Sequence, residues 1–93
     1  MSTIEIYSKD WCPFCAKAKA LLAAQGLDFV EIDITAGGAR EREMIARAGR
    51  RTVPQIFIAG RPIGGFDDLA YLNATGALPV VSRKDAGARS AAN

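Results

Sequence analysis

Two periodicities alternate along the chain, and their order restricts its fold more than any other feature. In residues 3–7, TIEIY, Ile4 and Ile6 alternate with Thr3, Glu5 and Tyr7, the pattern of a short half-buried strand. AKAKALLAAQG follows at 16–26, rich in strong helix formers, with Phe14, Ala18, Leu21 and Leu22 on one face and Gly26 as its stop. Residues 28–34, DFVEIDI, return to alternation through Val30, Ile32 and Ile34, and TAGG then breaks it. AREREMIARAG is a second helix: Met44, Ile45 and Ala48 share a face, Glu43 and Arg47 sit at i,i+4, and Gly49 ends it. PQIFI reads as a third strand, AG as a two-residue hairpin turn and RPI as a fourth strand. Gly64-Gly65 leads into FDDLAYLNATG, a third helix with Asp67 or Asp68 expected at its N-cap and Gly76 beyond its end. The predicted order is β-α-β-α-β-β-α. A helix between the first two strands implies a right-handed parallel crossover, and the last two strands form a hairpin. An α/β domain follows, with one four-stranded mixed sheet flanked by three helices.

Ninety-three residues make one small domain, expected over residues 1–81, with an aperiodic and flexible C-terminal tail at 82–93. Hydrophobic residues at 49% can supply a core. A net charge of +2 is too balanced for the basic stripe of a nucleic-acid binder. No apolar run is long enough to span a membrane, and MSTIEIY enters a strand pattern with no leader-like segment. A soluble cytoplasmic monomer is expected.

The chemistry lies in KDWCPFCAKAK, residues 9–19, which holds the only two cysteines. Zinc would need about four Cys or His ligands, and the chain has two cysteines and no histidine. Residue 16 is Ala, so covalent haem through C-x-x-C-H is excluded. A permanent disulfide closing so short a loop would stabilise little. A redox couple is the reading that remains strongest, and Pro13 gives it a geometry. Proline suits the first helical position, which makes Cys12 the N-cap, facing unpaired amides and the positive end of the helix dipole. Both favour thiolate, with Lys9 close by and Lys17 and Lys19 adding less. Cys15 falls one turn inside, in reach but more shielded. Cys12 is therefore the attacking thiol and Cys15 the resolving one, with Trp11 and Phe14 as apolar cover around them.

Four elements in order and spacing then resemble the dithiol glutaredoxins of the thioredoxin fold, most closely the bacterial glutaredoxin 3 type. They are CPFC at 12–15, TVP at 52–54, GGFDD at 64–68, and Lys9 three residues before the first cysteine. The likeness runs from Thr3 to about Pro79. It implies a thioredoxin-like fold and a glutathione-dependent thiol–disulfide oxidoreductase with no metal and no tightly bound cofactor. Glutathione is implied as co-substrate. Glutathionylated or disulfide-containing proteins are implied as partners, with ribonucleotide reductase one of several open candidates. By the same resemblance Pro54 is cis and presents the backbone of Val53, in the motif that includes Thr52, to the ligand's peptide part. Gly65, Phe66 and Asp67 would hold the γ-glutamyl end, with Asp67 or Asp68 suiting its ammonium. Lys9, and Arg40 or Gln55, would neutralise the glycyl carboxylate. The remaining arginines, among Arg42, Arg47, Arg50 and Arg51, read as a solvated basic face. Phe14 stands where the family usually carries Tyr, so an aromatic surface against the ligand is kept and a hydroxyl is lost.

Two other readings remain distinct in chemistry. A redoxin recycled by thioredoxin reductase would have no use for the GGFDD pocket. A non-enzymatic iron–sulfur carrier, with a cluster shared between two chains, fits a single-cysteine C-G-F-S motif better than this dithiol.

Overall fold

The computed structural model describes residues 3–78, so the expected end of the domain and the tail from Ser82 lie outside the described residues. The elements are β1 (Ile4–Ser8), α1 (Pro13–Ala24), β2 (Val30–Asp33), α2 (Ala39–Ala48), β3 (Gln55–Ile58), β4 (Arg61–Gly64) and α3 (Phe66–Ala74). They follow the predicted order. The sheet runs β2-β1-β3-β4, with β1 parallel to β2 and antiparallel to β3, and β3 antiparallel to β4.

Side-chain alternation divides the core. Ile4, Ile6 and Ile56 pack with Ala18 and Leu22 of α1 and Leu69 of α3 on one face. Tyr7 and Phe57 pack with Met44 of α2 and with Ile34 on the other. Helices therefore cover both faces of the central strands, and β1 is not half-buried as expected: Tyr7 is as inaccessible as Ile6. The strand with weaker cover is β2. It lies at the sheet edge, where Ile32 and Ile34 reach the α2 cluster but Val30 is exposed.

The helix ends follow local chemistry, with one correction. Gly49 ends α2 in the left-handed conformation, at φ 74°. Ala59 and Gly60 take positive φ (55° and 80°), as the two-residue hairpin turn between β3 and β4 requires. The N-cap of α3 is Gly65, not Asp67 or Asp68. Asp68 is one turn in and reaches back, its carboxylate accepting the Gly65 N–H at 3.0 Å. Gly65 has no side chain to return the bond. Gly64 makes room for this arrangement: at φ +113° it is strained for other residues, and a Cβ there would collide with the Asp68 carboxylate.

The expected Glu43–Arg47 pair does not form. Arg47 lies over the Phe57 ring, 4.0 Å from its centroid, and bonds Glu5 at 2.9 Å and the Tyr7 hydroxyl at 2.8 Å. Glu43 instead accepts from Tyr7 and pairs with Arg40. Cross-sheet packing has drawn Arg47 from the solvated face on which the sequence places it.

Candidate active site

Cys12 ends the β1–α1 loop with extended backbone angles (φ −95°, ψ 110°), and Pro13 opens the helix. Its carbonyl accepts the Ala16 N–H at 3.1 Å. Its sulfur accepts the Cys15 N–H at 3.1 Å, the N-cap bond that Ser or Asp makes elsewhere. A helix N-terminus favours negative charge on such an atom. The thiol donates to the Val53 carbonyl at 3.6 Å, so the cysteine loop and the TVP loop meet at this sulfur. Both thiols are free. Cys12 keeps 8% of its surface and Cys15 1%. Burial, then hydrogen bonding to Cys12, pushes the Cys15 thiol up to about 12, which keeps it protonated at neutral pH.

An open cleft of about 230 Å³ lies beside the pair. Phe14, Thr52, Val53, Pro54, Gly65, Phe66 and Asp67, all expected at the site, line it. The Val53–Pro54 bond is cis, as the resemblance implies. Phe14 is not a core residue of α1: half its surface is exposed, and it leans over the cleft with Phe66 at a centroid distance of 6.1 Å. Trp11, expected as apolar cover, is 67% exposed, with Lys9 over its ring.

The cations are distributed differently from the sequence reading. Lys9 is outside the cleft lining, with its ammonium 3.8 Å from the Glu41 carboxylate. Arg40 is paired with Glu43. Gln55 is buried, donates to the Thr52 hydroxyl at 3.1 Å and faces a separate cavity of about 150 Å³. Arg50, assigned to the solvated face, lines the cleft and lies 3.9 Å from Asp68. Its position immediately before Arg51 and the TVP motif was the signal available for it. Lys19 is drawn to Glu31 at 2.7 Å, and Lys17 lies over the Phe14 ring.

The glutaredoxin family model matches residues 4–63. The chain belongs to the glutaredoxin family. It is 53% identical to glutaredoxin 3 of Escherichia coli over 78 residues, 84% of this chain and 94% of that one. A glutaredoxin of Brucella melitensis shares its fold at a TM-score of 0.73 and 46% identity, with 87% of this chain and 88% of that one covered. A buckwheat glutaredoxin in complex with glutathione superposes at a TM-score of 0.75 and 29% identity, covering 83% and 73%. The protein is a glutathione-dependent thiol–disulfide oxidoreductase, and Cys12 and Cys15 have the spacing of a C-x-x-C active site. No helix among the described residues is long and apolar enough to cross a membrane.

Proposed function

We propose that Cys12 is the nucleophile, Cys15 the resolving thiol, and the adjacent cleft the seat of glutathione. The asymmetry of the pair carries this reading: one sulfur caps a helix and faces the cleft loop, while the other is sealed and stays protonated. The Cys12 thiolate attacks the glutathione sulfur of a protein–glutathione mixed disulfide. A Cys12–glutathione disulfide forms and the protein thiolate leaves. A second glutathione thiolate then attacks the glutathione sulfur held on Cys12, giving oxidised glutathione and regenerating the Cys12 thiolate. With a protein disulfide as substrate, the Cys12 thiolate attacks one protein sulfur, the substrate S–S bond breaks, and the other protein sulfur leaves as the first thiolate. Cys15 then loses its proton, attacks the Cys12 sulfur and releases the second protein thiolate. Two electrons pass to the substrate by either route.

In the cleft, the Val53 backbone would pair with the cysteinyl part of glutathione beside Thr52 and Pro54. Gly65 and the first turn of α3 suit the γ-glutamyl carboxylate, and Asp67 suits its ammonium. Phe14 and Phe66 cover the ligand's stem, and Lys9, although outside the cleft lining, keeps the assignment to the glycyl carboxylate that the family resemblance gives it. The domain acts as a cytoplasmic monomer on glutathionylated or disulfide-bearing proteins, without a tightly bound cofactor.

Reduction of a small mixed disulfide coupled to glutathione, glutathione reductase and NADPH tests the assignment. Cys12→Ser is expected to lose all turnover. Cys15→Ser keeps deglutathionylation and loses reduction of protein disulfides. Equal loss of both activities in Cys15→Ser would remove its role as the resolving thiol.

A further inference from the structure

The ammonium of Lys9 already has a carboxylate. Glu41 Oε2 stands 3.8 Å from Lys9 Nζ, and both side chains are partly buried, at 22% and 32% exposure. Water therefore screens this pair less than a fully exposed one. Glu41 has a position in α2 that favours its charge. It belongs to the first turn of α2, whose N-cap, Gly38, offers no side-chain acceptor, so a carboxylate there answers the positive end of the helix dipole. Its other oxygen lies on the Gly37 side, 3.3 Å from where a Cβ on that glycine would stand. An anion approaching Lys9 from solvent thus meets a cation already paired and a second carboxylate beside it.

We propose that Glu41 is a specificity-determining residue of the glutathione site, an internal carboxylate that competes with the ligand's glycyl carboxylate for Lys9. This rests on the assignment of Lys9 to that carboxylate. A ligand carboxylate must displace Glu41 or share Lys9 with it at the cost of like-charge repulsion. The penalty falls only on thiols that bring a carboxylate to this place. A neutral analogue loses the attraction of Lys9 but escapes the repulsion of Glu41. The protein therefore discriminates less between charged and neutral forms of its co-substrate than Lys9 alone would dictate.

The test compares kcat/KM for glutathione with that for its glycine-amide analogue, whose glycyl carboxylate is replaced by a neutral amide. The ratio of the two cancels any general loss of folded or active protein. Glu41→Gln is expected to raise the acid-to-amide ratio about threefold, the size of one partly screened ion pair. Lys9→Gln is expected to lower it. An unchanged or lower ratio in Glu41→Gln, with Lys9→Gln still lowering it, overturns the role of Glu41 and leaves the Lys9 assignment standing. A ratio unmoved by Lys9→Gln overturns both.

Discussion

The amide of Cys15 donates to the sulfur of Cys12 across 3.1 Å, so the backbone of one cysteine is tied to the side chain of the other. The bond spans a single helical turn and makes the two thiols chemically unequal before any substrate arrives. Cys12 lies at the helix end against Val53, and Cys15 is closed into the protein.

One alkylation per chain is therefore expected from iodoacetamide between neutral pH and pH 9, mapped by mass spectrometry to Cys12. Burial raises the Cys15 thiol from 9.0 to about 12, so the folded state keeps its proton where an unfolded thiol would lose it. The stability tied to that proton is full below about pH 9 and is lost as pH rises toward 12. Cys15→Ser should flatten this alkaline fall in denaturation experiments. Modification of Cys15 in folded protein below pH 9 would contradict the assignment.

Glu31 is expected to make stability sensitive to acid. Its carboxyl is held below the usual 4.5, first by the Lys19 hydrogen bond and then by the Ser8 hydroxyl. A depressed folded value means the contribution is present above pH 4.5 and is lost as pH falls from there through the lower folded value. Glu31→Gln should cost about 0.5 kcal/mol at neutral pH, with solvent screening already counted. The gap to the parent protein should close on acidification; a gap independent of pH would refute the charge-based account.

Gly64→Ala should destabilise by about 1–3 kcal/mol, because a strained φ is joined by a collision with Asp68. Gly60→Ala is the control, since its φ is also positive (+80°) but nothing lies within 4 Å of a new Cβ. Urea unfolding should show the larger loss at Gly64. Equal losses would mean that backbone strain alone matters and the Asp68 cap does not.

Arg47→Leu should cost about 1–3 kcal/mol by leaving the buried Tyr7 hydroxyl and Glu5 without their donor. Arg47→Lys should recover little, because an ammonium cannot reproduce the planar fork or lie over Phe57 in the same way. Full recovery by Lys would reduce the contact to simple charge.

Local chemistry made most of this protein readable from its sequence. Alternating and helical periods set the seven elements, Pro13 set the cap at Cys12, and Gly49 and Ala59-Gly60 set their own turns through backbone conformation. Beyond local chemistry, the family resemblance carried by CPFC, TVP and GGFDD implied the residues of a cleft that lie far apart in the chain. These signals act over a few residues, so they survive without knowledge of the fold. Neighbour relations across the sheet and between loops did not. Which face buries Tyr7, why Val30 is left at an edge, and why Arg47 leaves Glu43 for Glu5 and Phe57 depend on strand order and on α2 crossing one face. The pairing of Lys9 with Glu41 is of the same kind. Only the fold brings a carboxylate 32 positions away to the ammonium that stands three residues before Cys12.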